Sequence, residues 1–206
     1  MPLIYHTTSV NETLESHVYI RSYKDPEIKG AMHAYKFNGD TNAKQRFILY
    51  ILDLCIILGN CIYTSPPSTM HARGEKKVDS MFELLKSAVR ILRQYTQGSA
   101  HAAQSIFSIS SKYLKHKKAQ HIGGTRKIRT ADIDKRYTVR TAYKIKLWMS
   151  IHIRKQRHFS YVILDDVSST GATLIACRNT LSTYMSMIQR KNPDISYNIQ
   201  IFSILH

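Results

Sequence analysis

Acidic side chains are scarce in this chain: 14 Asp and Glu stand against 30 Lys and Arg in 206 residues, a formal charge of +16. Such an excess argues against a cationic partner and points to nucleic acid, an acidic membrane surface or a phosphorylated substrate, unless lysine is simply abundant throughout the lineage. Cysteine is scarcer still. Cys55, Cys61 and Cys177 lie inside apolar segments with no CxxC spacing, so a disulfide framework is not expected and reduced core residues are. No cysteine precedes Cys55, so an N-terminal cysteine-ligated zinc site, and zinc altogether, is not expected. The histidines show no metal-ligand spacing. No apolar run is long enough for a clean membrane span: Phe47 to Tyr63 is broken by Asp53 and Asn60 and reads as a buried helix followed by a strand. No membrane insertion is expected. No charged-then-apolar leader pattern begins the chain, and the expected location is cytoplasmic. Repeats and low-complexity segments are lacking too. At this length and 43% hydrophobic residues, one domain with one good core is expected over residues 1–206, with 1–17 as an extended lead-in.

What is present centres on Tyr161-Val-Ile-Leu-Asp-Asp-Val-Ser-Ser-Thr-Gly-Ala-Thr173. The β-branched run to Leu164 predicts a buried strand. Asp165 and Asp166 stand where it ends, and Ser168, Ser169, Thr170, Gly171, Ala172 and Thr173 form a hydroxyl-rich turn opening a helix. Leu174, Cys177, Leu181, Tyr184 and Ile188 then recur at helical spacing as one apolar face. This strand–loop–helix is half of an α/β unit, whose ligands bind at the carboxyl ends of the strands. Amides at a helix start suit a phosphate monoester, hydroxyls add donors, and Gly171 permits close approach. Two carboxylates repel phosphate but accept hydrogen bonds from vicinal hydroxyls and hold a divalent ion at one remove. Phosphate at one end and a diol at the other describe a ribose 5-phosphate. No Gly-Lys-Ser/Thr follows, which excludes a nucleoside-triphosphate P-loop.

The stretch resembles the 5-phosphoribosyl 1-pyrophosphate (PRPP) signature of type I phosphoribosyltransferases. The resemblance implies an α/β fold with a mostly parallel twisted sheet flanked by helices, PRPP as ligand, and Mg²⁺ carried with PRPP rather than held by direct protein ligands. Tyr23-Lys-Asp-Pro-Glu-Ile-Lys-Gly-Ala-Met-His-Ala-Tyr-Lys-Phe-Asn-Gly39 narrows it to the ComF family, phosphoribosyltransferase-like proteins associated with DNA uptake in competent bacteria. The resemblance spans about Tyr19 to Leu205. It places Thr64, Ser65 and Pro66 in the pyrophosphate loop. Arg73-Gly74 matches the family's Arg-Gly, but Glu75, Lys76 and Lys77 replace its Phe, Asn and Gln.

The remaining segments follow in order. Glu27 begins a helix that ends near Gly39, which can supply a left-handed cap, and Thr41 or Asn42 can cap the next, Ala43 to about Leu54. Asp79 starts an amphipathic helix with Met81, Phe82, Leu85, Val89 and Leu92 as its core stripe. Ser105 to Ser110 reads as a strand, as does Ile195 to Leu205. Between them the most basic part carries Lys115, Lys117, Lys118, Gln120, Arg126, Lys127 and Arg129 around Gly123-Gly124. The family carries Thr-x-x-Gln and then Arg-x-x-Asn here; this chain has Lys117 for Thr and Asp132 for Asn. A basic loop of this kind suits closing over a pyrophosphate or tracking a nucleic-acid backbone, and the plain alternative is a solvated charged loop. Trp148, in a second basic stretch, is expected to pack against the core or its edge. The resemblance implies two functions: binding PRPP and single-stranded DNA during uptake, with competence-machinery proteins or a second copy as further partners, or transferring ribose 5-phosphate from PRPP to a nitrogen base in salvage. In the second, Asp165 and Asp166 hold the ribose hydroxyls and stabilise developing positive charge.

Overall fold

The structure, a computed structural model, describes residues 6–9, 16–21, 25–68, 79–96, 102–110, 136–167 and 171–205. The organising element is β7, His158–Val167. Its side chains alternate across the sheet, as a pleated backbone requires. Phe159, Tyr161 and Ile163 enter one core, and Val162 and Leu164 enter the other. A strand covered on both faces must be apolar at successive positions, hence the unbroken run Tyr161 to Leu164.

Around β7 the sheet runs β1-β2-β8-β7-β3-β4. The strands are β1 His6–Ser9, β2 Ser16–Arg21, β3 Ile62–Thr64, β4 Ala102–Ala103 and β8 Ser196–Leu205. β1 is antiparallel to β2, and every other neighbouring pair is parallel. One face is covered by α1 (Pro26–His33), α2 (Thr41–Leu58) and α3 (Ser80–Tyr95), whose Ile28, Phe47, Ile51, Leu84 and Leu85 are buried. The other face is covered by α4 (Thr141–His152), α5 (Ala172–Lys191) and a two-stranded antiparallel ribbon of β5 (Phe107–Ile109) and β6 (Tyr137–Val139). The protein is therefore α/β, with a mostly parallel sheet between helical layers. No helix among the described residues is long and apolar enough to cross a membrane.

Three of the scarce acids are used at helix starts. The Asp25 carboxylate accepts from the Glu27 and Ile28 amides, Asp40 from the Ala43 amide at 2.8 Å, and Asp79 from the Phe82 amide at 3.3 Å. Each satisfies amides that the helix leaves without an internal partner and places negative charge at the positive end of the dipole. Gly39 ends the preceding helix at φ 70°, as its position predicts.

Several expectations change in detail. Asp40, not Thr41 or Asn42, caps α2, because the residue after a left-handed glycine turns extended and aims its carboxylate at the first turn. α2 also continues to Leu58, where Gly59 stops it. Within the lead-in, His6–Ser9 is a strand paired with β2 at the sheet edge. β7 runs past Leu164, so both aspartates lie inside the strand; pairing of Asp165 with Ser203 and Val167 with Leu205 on β8 holds it extended there. The Ser65–Pro66 peptide bond is trans. All three cysteines are buried and free.

Phe47 is fully buried on α2 against the sheet. Phe47→Ala is expected to lower unfolding free energy by about 3–5 kcal/mol, measured by denaturant titration; a loss below 1 kcal/mol, on the order of a surface change, contradicts this core.

Candidate functional site

Connectivity creates the site before any side chain does. β3 leads through α3 to β4, its outer neighbour, whereas β7 leads through α5 to β8 on the opposite side. α3 and α5 belong to opposite helical layers. The chain thus leaves two adjacent strands in opposite directions, and a crevice opens beyond their carboxyl ends. A cavity of about 260 Å³ lies there, lined by the end of β7, the chain after β3, the turn after α1 and the start of β6.

Strand alternation sends the two neighbouring aspartates to different sides of that crevice. Asp166 faces the α1 layer and forms an ion pair with Lys36. Lys36 sits where α1 widens into a π turn over Ala34–Asn38, an irregularity frequent at functional sites. Tyr35, in the same turn, donates to the Ser80 carbonyl at 2.7 Å. Its phenol is pushed up to about 12, first by burial and then by Glu83, Asp79 and Asp166, so it stays a donor at any physiological pH. Asp165 lies toward the α5 layer, beside Tyr137, Arg136 and Cys177. Its Oδ1 accepts the Asp166 amide at 2.9 Å. Burial and then the neighbouring Asp166 raise its carboxyl well above the ordinary carboxylate range, against the opposing pull of that amide and Lys36. Both aspartates remain partly exposed, and both line the cavity.

The facing wall comes from the chain after β3. Thr64 is fully buried, and its hydroxyl accepts from the Ile106 amide, tying β3 to the start of β5. Ser65 is buried as well. The part of this loop that meets the cavity is Pro66, Pro67 and Ser68. Asp79 holds it: one carboxylate oxygen accepts the Ser68 amide at 2.7 Å while the other caps α3. Across from it, Gly171 occupies the N-cap of α5 at φ 68°, a left-handed conformation glycine adopts without strain. Thr173, in the first turn of that helix, lines the cavity.

Of the predicted residues, then, Asp165, Asp166 and Thr173 come together at one crevice with Pro66; Gly171 and Ala172 start α5 beside it without lining the cavity, and the Thr64 side chain is engaged elsewhere. Ser168, Ser169, Thr170, Arg73, Lys115, Lys117, Lys118, Gln120, Arg126, Lys127 and Arg129 lie outside the described residues. The cavity residues not singled out as site residues from the sequence include Lys36, Phe37, Asp79, Arg136 and Tyr137. Lys36 and Phe37 had a signal, since they belong to the Lys-Phe-Asn-Gly stretch that resembles the ComF segment. Asp79 was legible only as a helix start, and Arg136 was one cation among many. Arg136 stacks over the Tyr137 ring at 5.2 Å, and burial raises the Tyr137 phenol above its ordinary value against the lowering pull of Arg136.

The result is a mixed-charge cleft. Asp79, Asp165 and Asp166 supply acceptors, and Lys36 and Arg136 supply cations. Among the described residues, no three His, Cys, Asp or Glu side chains group as a ready-made metal site. The carboxylates suit a hard cation that keeps part of its water and takes remaining oxygens from a ligand.

The raised Asp165 carboxyl has a direct consequence. The folded protein keeps this proton at pH values where the unfolded chain has lost it, so this group lowers stability as pH rises from the ordinary carboxylate pKa towards its folded value. Asp165→Asn removes the ionisation and is expected to flatten that slope and raise the melting temperature at mildly alkaline pH. Melting curves of both proteins across pH check it; parallel pH profiles contradict the assignment.

No family model matches this chain, and neither a curated protein nor a solved structure does.

Proposed function

We propose that the crevice binds a phosphorylated ribose, PRPP with Mg²⁺, on a type I phosphoribosyltransferase-like fold, and that the protein is ComF-like and engages single-stranded DNA. One observation carries the reading: adjacent carboxylates at the end of β7 share a cavity with Lys36, Arg136 and Thr173, the last in the first turn of α5. A phosphate alone calls for no acids, and a plain sugar calls for no cations. A phosphosugar uses both.

In this reading the 5-phosphate rests on the amides and hydroxyls of Ser169 to Thr173, with the helix dipole behind them. Asp165 and Asp166 accept the ribose hydroxyls. Arg136 stands on the Asp165 side and Lys36 on the Asp166 side, placed to balance ligand charge. Asp166 and Asp79 are the residues that would hold the hydrated Mg²⁺, which supplies neutralisation of the pyrophosphate. Binding of diol and cation favours the ionised form of Asp165, so its proton is released on binding. If transfer follows, pyrophosphate leaves the anomeric carbon as a nitrogen base attacks, and the two carboxylates stabilise the oxocarbenium-like charge between them.

The DNA half of the reading rests on charge. A phosphorylated metabolite needs only a few cations, and +16 exceeds that need. The salvage-transferase reading is favoured by a different observation. Phe37 is 60% exposed beside Lys36 on the cavity wall, a place where a planar base can stack.

Mg²⁺ and PRPP at about 100 times the dissociation constant are expected to stabilise the protein by about 2.7 kcal/mol. The double variant Asp165→Asn, Asp166→Asn is expected to lose this response in calorimetry; stabilisation retained by the variant removes the site. Affinity for a labelled single strand is expected to fall about a thousandfold between low and physiological salt if some six phosphates are neutralised. A flat salt titration by filter binding removes DNA from the function.

A further inference from the structure

The layer opposite α1–α3 holds a feature that the crevice does not use. α4 buries Tyr143, Leu147 and Ile151 in the core, and such a helix ordinarily turns polar residues outward. This one turns out Ile145, Trp148, Met149 and Ile153, at 58%, 56%, 41% and 62% exposure. At 100° per residue, Ile145, Met149 and Ile153 run as one stripe opposite the buried face, with Trp148 beside it. The expectation that Trp148 packs into the core or its edge is therefore corrected. The core side of the helix is already filled by residues one position before it and three after, and Trp148 stacks instead near His152 at 5.0 Å.

Cations border the stripe. Lys144 and Lys146 are exposed on its two flanks, and exposed Arg154 and Lys155 follow at its end. Lys144 reaches over the Tyr184 ring of α5 at 5.5 Å, and an apolar groove of about 340 Å³ runs between the two helices along Trp148 and Ile188. From Lys135 to Leu164 the chain has no acidic residue and eight Lys or Arg.

We propose that the outer face of α4 docks on an anionic lipid bilayer. The helix lies in the membrane plane, because its inner face is fixed to the core. The aliphatic stripe and Trp148 enter the headgroup–acyl boundary, and the bordering cations meet lipid phosphates. This is a surface contact, distinct from a span. Charge argues against a second copy as the occupant, since each copy would bring the same cationic border to the contact. The aliphatic centre argues against nucleic acid: Trp148 offers a single ring, and Ile145, Met149 and Ile153 beside it have no ring for a neighbouring base to stack on and no polar side-chain group to read it.

Trp148 is the only tryptophan in the chain, so its fluorescence reports this face alone. With phosphatidylcholine vesicles containing phosphatidylserine, Trp148 emission is expected to shift to the blue and the protein to co-sediment; pure phosphatidylcholine is expected to do neither. Lys144→Glu with Lys146→Glu is expected to weaken partitioning more than tenfold, at about fivefold per cation lost. Ile145→Ser with Met149→Ser is expected to abolish the shift. All four positions are exposed, and circular dichroism checks that the variants fold. The proposal is overturned by an equal response to neutral vesicles or by none. It is also overturned if Trp148 responds to an oligonucleotide but not to vesicles, or if self-association alone buries it.

Discussion

Two adjacent carboxylates at the end of the most buried strand constrain the rest of this structure. Side by side and both ionised in a partly dry cleft, they repel each other and forgo hydration. The pleat eases this by turning them to different sides of the sheet. Asp166 reaches Lys36, and Asp165 takes the following amide while its carboxyl holds a proton more tightly than a carboxylate in water. The neighbouring elements answer to this pair. The π turn brings Lys36 to Asp166, β6 brings Arg136 and Tyr137 alongside Asp165, and Asp79 anchors the opposite loop through Ser68. The arrangement costs stability locally and is supported from three elements.

The acid-poor composition gains a structural meaning. Among the described residues, five of the acids stand at helix starts (Asp25, Asp40 and Asp79) or in the cleft (Asp79, Asp165 and Asp166), while Glu27, Glu83 and Asp194 pair with surface cations. Asp79 does both, which couples the start of α3 to the cavity wall. The cations are more diffuse. Lys36 and Arg136 serve the cleft, while those along α4 border an apolar outer stripe. Among the described residues, cations thus lie at two separate surfaces, a distinction that the summed charge does not contain.

Much of the fold was legible because the periodicities are strong. A short unbroken run of apolar, β-branched residues marked β7, and Gly39, Asp79 and Gly171 marked helix boundaries through backbone conformation and capping. The misreadings share a cause. The cap of α2, the extension of β7 past Leu164 and the outward turn of Trp148 depend on which neighbour satisfies a group, and local spacing does not specify neighbours. Trp148 shows this plainly: an aromatic among cations fits an edge, a core or a docking face equally well until Tyr143, Leu147 and Ile151 are seen to fill the inner side of the helix.

By itself, the amino-acid sequence determined the elements of the site: an apolar strand, two acids, a glycine-led helix start and a surplus of positive charge. Their chemistry is intrinsic to residue types at short spacing. Only the tertiary structure decided that Lys36, Asp79 and Arg136 join those acids and that the crevice opens between β3 and β7. It also decided that the Thr64 hydroxyl turns away from the cavity. Those facts follow from the order of strands in the sheet, which long-range packing selects and no local pattern encodes.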